Sequence, residues 1–276
     1  MGKVAFITGA NQGLGFGLLQ RLNELYTKED IIYVGVRRTE EREKAIQSII
    51  NKGPKLEVLY VDVAKEDTIK SVKNTIVEKH GGIDLVISNA AARISPDIDN
   101  KDQVAQFVRT NNFGAYCMLK HFQPYLKENG VFIVVASSFG SLIHLKGHLH
   151  SLFNVETKSL EEINTIMSNY ITSVKKGTAT TEGWPEWINI PSKIGQVALA
   201  KIAAREEERQ NANKHTSIFA VCPGLVDTDA SRPFFNNMHE AQTPYEAAKH
   251  ISNILQTDTT QFSGKLIQFG RELPWN

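Results

Sequence analysis

Short runs of apolar, β-branched residues alternate along the chain with segments whose apolar positions recur at helical spacing. The runs are apolar at most consecutive positions, which is typical of parallel strands covered on both faces. They are Val4–Thr8, Ile31–Val36, Leu56–Val61, Leu85–Ser88, Val131–Ala136, Ser217–Val221 and Leu266–Phe269. The helical segments include Glu40–Ile50, Lys65–His80, Val104–Leu126, Lys193–Arg209 and Pro244–Leu255. The alternation predicts an α/β fold, a doubly wound parallel sheet of about seven strands with helices on both faces.

One segment, residues 140–185, interrupts this alternation. It contains a further amphipathic stripe, which predicts an inserted helix whose apolar face contacts the core rather than a ligand. The stripe is Leu160, Ile163, Ile166, Met167, Tyr170, Ile171 and Val174. Because no linker or repeat divides the chain, residues 1–276 are predicted to form a single domain.

Composition narrows the classes of partner and compartment. Lys and Arg total 31 against 30 Asp and Glu, so there is no strong positive field for nucleic acid. Cys117 and Cys222 offer neither a disulfide framework nor metal-ligand spacing, which fits a reducing compartment. The N-terminus opens directly into an apolar strand without a secretory signal, and no apolar run is long enough to span a bilayer. We therefore expect a cytoplasmic protein that binds neither nucleic acid nor membrane, and no metal site.

A glycine-rich loop follows the first predicted strand, in the stretch Thr8–Gly15, with glycines at positions 9, 13 and 15. Glycines at these positions permit a tight turn and a close backbone approach to a pyrophosphate. The next helix then presents its N-terminal N–H groups to that anion. Since the loop lies between a strand and a helix, it predicts a dinucleotide-binding Rossmann fold.

The end of the second strand indicates which dinucleotide is bound. An NAD site places a carboxylate here to accept from the ribose 2′-hydroxyl, but this chain has Arg37 and Arg38 and no acid before Glu40. Guanidinium groups match a 2′-phosphate in charge and geometry. The alternative is a pair of solvated arginines, but the pattern favours NADP(H).

Several further motifs occur in a fixed order. They are Asp62-Val63, Ser88-Asn89-Ala90-Ala91, Thr110-Asn111-Asn112-Phe113-Gly114, Ser137-Ser138, Lys193, and Cys222-Pro223-Gly224-Leu225-Val226-Asp227-Thr228. With the glycine loop, they resemble the short-chain dehydrogenase/reductase family over essentially the whole chain. The stretches Val174–Gly177, Glu182–Pro185 and Ser192–Gly195 resemble its monomeric carbonyl reductases in particular.

The resemblance implies a role for each matching residue. Gly9, Gly13 and Gly15 would carry the pyrophosphate, Asn11 would brace the loop, and Gln12 and Leu14 belong to the same loop. The remaining cofactor contacts would come from Arg37 at the 2′-phosphate, Asp62 and Val63 at the adenine, Asn89 beside the adenosine ribose, Lys193 at the nicotinamide ribose, and Pro223, Val226 and Thr228 at the carboxamide. For the reaction, Ser138 would position a substrate carbonyl and Asn111 would orient a water.

The chain also departs from the family pattern. Gln12 stands where the branch often has a lysine, which puts one phosphate contact in doubt, and Ser88 and Ala91 replace an asparagine and a glycine. In this branch a segment like residues 140–185 covers the helix face through which relatives oligomerise. The resemblance therefore implies a monomer.

The largest departure is at the family's catalytic acid, a tyrosine four positions before the lysine. Counting back from Lys193 reaches Asn189, as does counting forward from Trp184-Pro185. Tyrosine protonates the alkoxide that forms as hydride reaches a carbonyl carbon. An asparagine amide can donate a hydrogen bond but cannot usefully release a proton.

Two further features bear on the missing acid. Pro191 disfavours helical angles at Ile190, so we expect the helix to start at Pro191 and leave Asn189 outside it. A tyrosine at position 189 alone should then fail to restore activity. The candidate substitute acids are Tyr170, His144, His148 and His150.

Two functions remain open at this point. The chain is predicted to be an NADP(H)-binding, carbonyl reductase-like pseudoenzyme that binds or regulates some protein or small-molecule carbonyl partner. The alternative is an NADPH-dependent reductase of ketones, quinones or aldehydes with a non-standard proton donor.

Overall fold

A computed structural model describes residues 2–37, 46, 49 and 53–276. Its strands are β1 (Val4–Thr8), β2 (Ile31–Val36), β3 (Lys55–Tyr60), β4 (Ile83–Ser88), β5 (Leu126–Val135), β6 (Ser217–Val221), β7 (Leu266–Gln268) and β8 (Arg271–Leu273). The α-helices of the described residues are α1 (Gly13–Leu25), α2 (Glu66–His80), α3 (Asn100–Val108), α4 (Gly114–Phe122), α5 (Leu160–Lys176), α6 (Asn189–Asn211) and α7 (Pro244–Ile254). The predicted helix Glu40–Ile50 falls mostly on residues outside this description.

The described strands form one sheet in the order β3-β2-β1-β4-β5-β6-β7-β8, parallel except for the last pair. β1 and β2 are buried at every position, because helices cover both faces of the sheet. Separate apolar clusters fill the space on each face, one around Phe6 and Phe132 and the other around Ile7 and Ile133. The strand order reverses at β1 and β4, and a crevice opens beyond the carboxyl ends of these two strands, where ligands of such sheets bind.

The sheet has eight strands, one more than predicted. The extra strand, β8, pairs antiparallel with β7 through a two-residue turn at Phe269 and Gly270. Both turn residues have positive φ, 51° and 75°, as a type I′ hairpin turn requires. Phenylalanine rarely adopts this conformation, so the sequence contains little signal for the turn, and the predicted strand Leu266–Phe269 wrongly includes Phe269.

The predicted helix Val104–Leu126 is divided. A π-helical turn at Arg109–Phe113 joins α3 to α4, and a 3-10 turn containing Pro124 follows before Leu126 opens β5. A π turn widens the helix locally, and such turns are frequent at functional sites. Here it contains Asn111 and Asn112, whose side chains bond to other segments.

The predicted inserted helix is present as α5. Ser159 caps its N-terminus in a capping box with Glu162, and Gly177 ends it in the left-handed conformation. Its apolar face packs against α3 and α6. The centroid of the Tyr170 ring lies 4.8 Å from that of Trp184, which precedes α6. The stripe is therefore a packing surface, as expected. No helix in the described ranges combines the length and apolarity needed to cross a membrane.

The start of α6 differs from the expectation drawn from Pro191. The helix begins at Asn189, and the preceding residue, Ile188, is already in a helical conformation. Pro191 is the third helical residue, where its missing N–H is harmless because the first four N–H groups of a helix have no intrahelical acceptor. The Ile190 N–H donates to the Trp187 carbonyl at 3.1 Å, which extends the turn backward. The prediction that Asn189 lies outside the helix is wrong.

Candidate active site and cofactor cleft

A first cleft of about 250 Å³ opens where β1 and β4 diverge. Predicted cofactor residues line it from end to end: Gly9, Asn11, Gln12, Gly13, Leu14, Gly15, Arg37, Asp62, Val63, Asn89, Lys193 and Thr228. Their elements come from both halves of the sheet. The strand order therefore brings together residues that the sequence separates widely.

The glycine loop is shaped by close backbone contacts. Gly9 has a φ of +68°, and a Cβ there would lie 2.8 Å from the Ala90 Cα. A Cβ on Gly15 would lie 2.2 Å from the Gly9 carbonyl oxygen. Gln12 caps α1 without a side-chain bond, so the first N–H groups of that helix remain available to an anion.

Asn89 fixes the loop in this conformation. Its Nδ2 donates to the carbonyl oxygens of Thr8 at 2.9 Å and Gly9 at 3.3 Å. The Thr8 hydroxyl in turn accepts from the backbone N–H groups of Asn89 and Ala90, both at 3.1 Å. The bracing role expected of Asn11 is not seen, since its buried Nδ2 has no hydrogen-bond partner in the described part of the chain. Asn89 braces the loop because β4 lies directly beside β1.

The end of the cleft that is predicted to hold the adenine lies beyond β2 and β3. The Asp62 carboxylate accepts from the Ala64 N–H at 3.1 Å, and the Thr68 hydroxyl bonds to the Asp62 backbone. Arg37 is exposed at this edge. Arg38, the second predicted contact for a 2′-phosphate, lies outside the described residues.

Lys193 lies on the wall between this cleft and a second one. Its Nζ donates to the Gln196 side-chain oxygen at 2.8 Å and approaches the Val135 carbonyl oxygen at 3.5 Å. Neither acceptor carries a charge. Burial therefore lowers the pKa of Lys193 to about 8, and the lysine remains mostly protonated at neutral pH.

The second cleft has a volume of about 420 Å³ and is more apolar. The predicted residues that line it are Leu14, Asn111, Ser138, Asn189, Lys193, Pro223, Val226 and Thr228. Asn189 precedes Lys193 by four residues in α6, which places both side chains on one face of the helix. Ser138, three residues after the end of β5, lines the same cleft.

Four aromatic rings form a wall of this cleft. Trp187 lies 5.1 Å from the Phe139 ring, 5.7 Å from Phe234 and 6.2 Å from Phe235. The family resemblance implies that the loop after Thr228, which contains Phe234 and Phe235, covers the substrate, but no pattern in the sequence marks the four aromatic residues individually.

The two asparagines of the π turn are engaged in structural bonds. Asn111 accepts from the Ala92 N–H at 2.8 Å, which ties the turn to the segment after β4. The buried Asn112 donates to the Ser192 carbonyl at 2.8 Å and accepts from the Ser192 hydroxyl at 2.7 Å. This second pair, which sequence reasoning overlooked, anchors α6 immediately before Lys193.

None of the four candidate substitute acids lines the second cleft. Tyr170 is buried against Trp184, and burial raises its pKa. His148 and His150 bond to the carbonyl oxygens of Glu182 and Leu145, and the His144 ring packs 5.4 Å from that of Phe139. Within the described ranges, no cluster of His, Cys, Asp and Glu could hold a metal ion.

The chain is similar to known proteins over nearly its full length. Carbonyl reductase (NADPH) 1 of Mus musculus is 28% identical over 278 residues, with 99% of this chain and 98% of the relative covered. The protein of the same name from Homo sapiens is 26% identical with the same coverage.

Solved structures share the fold. Salutaridine reductase from Papaver somniferum matches with a TM-score of 0.77 at 19% identity, over 96% of this chain and 99% of its own. An NADPH-bound carbonyl reductase from chicken fatty liver matches with a TM-score of 0.72 at 19% identity, over 99% of both chains. The family model described as short chain dehydrogenase matches residues 3–148, more than half of the chain. Taken with the glycine loop at the sheet crevice, this match shows that the chain belongs to the short-chain dehydrogenase family.

Proposed function

We propose that this chain binds NADP(H) in the first cleft and has little or no ordinary carbonyl reductase activity, serving instead as a binding or regulatory protein. The glycine loop, its Asn89 brace and the exposed Arg37 support the choice of cofactor. The names of the carbonyl reductase relatives and the NADPH-bound neighbour agree with it. Bound there, NADPH would supply a hydride toward the second cleft.

One observation supports the proposed loss of carbonyl reductase activity. Among the described residues, no Tyr, His, Asp or Glu lines the second cleft, although Ser138, Asn189 and Lys193 do. Asn189 occupies the helical position from which the family's tyrosine would face the lysine. Its amide can donate a hydrogen bond to a carbonyl oxygen but cannot replace the proton that the oxygen needs. Loss of a positioned general acid costs on the order of 10²–10⁴ in rate.

A reductase with a non-standard donor is the second candidate, and one observation favours it. The Lys193 ammonium borders the cleft, and burial lowers its pKa to about 8, near enough to neutrality for proton donation. In this alternative Lys193 protonates the alkoxide directly, and Lys193→Met abolishes turnover.

The deciding experiment combines a binding and a rate measurement. Calorimetry should show binding of NADPH. Oxidation of NADPH against a panel of quinones, diketones and aldehydes should then show little turnover. Turnover in the usual enzyme range, about 1–10³ per second, would favour the second candidate. Absence of NADPH binding would refute both.

The same proposal includes a monomeric protein of the cytoplasm. α5 covers faces of α3 and α6 that are apolar in this chain, and Cys117 and Cys222 are buried and unpaired. Sedimentation at micromolar concentration should give a monomer. Deletion of residues 154–177 should expose apolar surface and cause association. A stable dimer of the intact chain would contradict this part of the proposal.

A further inference from the structure

The charges around the second cleft are unevenly compensated. Asp227 and Asp229, on the loop after β6, pair with Arg232 at 2.7 and 3.0 Å, and Asp229 also pairs with Arg93 at 3.2 Å. These two carboxylates and two guanidiniums balance one another. Lys193, by contrast, bonds within the described part of the chain only to neutral oxygens. Lys193 is half-buried at the wall of both clefts, and partial desolvation of an ammonium with no charged partner is costly, so an anion beside it would offset that cost.

Two hydrogen-bonding groups that share the second cleft with Lys193 are also open to a ligand. Within the described residues, neither the Ser138 hydroxyl nor the Asn189 side-chain amide has a hydrogen-bond partner, and both line the cleft. Each supplies a donor, and no carboxylate among the described lining residues competes for them. A tyrosine at position 189 would partly compensate Lys193 when ionised, but asparagine cannot take a negative charge.

The shape of the cleft restricts the rest of the ligand. Trp187, Phe139 and Phe234 line the cleft as one aromatic cluster, in which neighbouring ring centroids lie 5.1 to 5.7 Å apart. Aromatic rings pack favourably against such a wall in offset or edge-to-face arrangements. A volume of about 420 Å³ is within the range that small-molecule sites occupy.

We infer that the second cleft binds an aromatic carboxylate, with its ring against Trp187, Phe139 and Phe234 and its carboxylate on the donors of Ser138 and Asn189 beside the Lys193 ammonium. The inference rests on the proposed function, because a ligand held in this way occupies the place of a reducible carbonyl. It names the chemical class of the ligand for a protein that binds and does not reduce.

This arrangement couples ligand binding to the redox state of the cofactor. An oxidised nicotinamide ring carries a positive charge that the reduced ring lacks, so it adds to the field that Lys193 provides. The carboxylate should therefore bind more tightly to the NADP⁺-loaded protein than to the NADPH-loaded protein. By thermodynamic linkage, the carboxylate must favour NADP⁺ over NADPH by the same factor.

The test uses three probes that share one ring system: 2-naphthoate, 2-naphthamide and 2-acetonaphthone. Calorimetry on the NADP⁺-loaded full chain should show the carboxylate binding at least about tenfold more tightly than the amide and the ketone. Equal affinities of the three probes, or tightest binding of the ketone, would overturn the inference and leave a pocket for neutral carbonyls. Failure to bind NADP⁺ would instead count against the proposed function.

Asn189→Asp places a fixed carboxylate beside Lys193 with almost no change in volume. It should weaken 2-naphthoate by about tenfold or more while changing 2-naphthamide by less than about threefold. The matched control is Asn253→Asp, the same chemical change on the exposed face of α7, which should alter neither affinity. If Asn189→Asp destabilises the fold, Asn189→Leu removes the donor without adding charge and should still weaken the carboxylate. Unchanged 2-naphthoate affinity in both Asn189 variants, with NADP⁺ affinity intact, would refute the assignment.

Discussion

The first cleft is the cofactor half of the site and the second cleft is its reacting half. These two halves differ in how closely their residues match the family pattern. On the β1–β3 side, the glycine loop, Asn89 and Arg37 form a site suited to a dinucleotide phosphate. On the α6 side, Ser138 and Lys193 line the cleft, but position 189 carries an amide where the family resemblance implies a tyrosine. The halves share Lys193, which borders both.

This contrast teaches that binding and chemistry depend on different properties. The cofactor half depends on backbone shape, which glycines and Asn89 bonds determine and which many side-chain changes elsewhere do not disturb. The reacting half depends on the pKa of one group. Under the proposed function, a single substitution would therefore remove the chemistry and leave the binding surface intact.

The most severe test of the contrast is to restore the acid. Because Asn189 lies within α6, one turn from Lys193, Asn189→Tyr alone should raise NADPH-dependent reduction of a reactive dicarbonyl by about 10²–10⁴. This replaces the expectation drawn from Pro191. Steady-state oxidation of NADPH measures the gain.

Pro191→Ala is the matched control, and added to Asn189→Tyr it should change the rate little, since the helix already includes Ile190. An inert Asn189→Tyr variant that still binds NADPH would show that the reacting half has diverged beyond its acid.

Substitution of Lys193 tests whether both halves of the site depend on its ammonium charge. Its pKa of about 8 lies below the usual 10.5, so the folded state disfavours the ammonium. The unfolded chain then binds more protons between these values, and the contribution of Lys193 to stability rises with pH from about 8 to 10.5. Lys193→Met should stabilise the apoprotein at pH 7 by about 2–3 kcal/mol, an advantage that disappears above pH 10.5.

The measurement is the difference in unfolding free energy between the two proteins at each pH, because burial also raises the pKa of Cys117 and Tyr26 and gives both proteins opposing trends. The same variant should weaken NADPH and NADH alike. Weakening of only one cofactor would show that Lys193 does not contact their common part.

Substitution of Arg37 tests the cofactor half of the site alone. The intact chain should bind NADPH at least about tenfold more tightly than NADH, a difference of about 1.4 kcal/mol, and Arg37→Asp should remove most of that preference. Calorimetry with both cofactors measures it. Equal affinities in the unmodified chain would mean that Arg37 is a solvated surface residue.

The smallest expected effect comes from a position that belongs to neither half. Ser159→Ala removes the N-terminal cap of α5 and should lower the free energy of unfolding by about 1 kcal/mol. Thermal unfolding measures the loss, and the NADPH affinity should stay unchanged. A concurrent loss of NADPH affinity would indicate that the inserted helix supports the cleft as well as covering α3 and α6.

Much of the fold could be predicted because it rests on local patterns. Continuous apolar runs marked β1, β2 and β6 with their observed bounds, and the stripe from Leu160 to Val174 marked α5. The predictions were wrong where the structure adopts a backbone conformation that the local sequence disfavours. Phe269 adopts a positive φ in the turn that pairs β8 with β7. Ile190 is helical although Pro191 follows it.

The same distinction between local and long-range relations applies to the residues of the site. The sequence alone determined the glycine loop, the arginine after β2 and the four-residue spacing of Asn189 and Lys193, because each is a relation between near neighbours. The tertiary structure decided which distant segments meet: Asn89 with the Thr8 carbonyl, Asn112 with Ser192, and Trp187 with Phe234. It also placed Lys193 partly buried between the two clefts, where its hydrogen bonds within the described residues go to uncharged oxygens. Packing sets desolvation, and desolvation sets the charge state of a side chain, so neither could be predicted from neighbours in the chain.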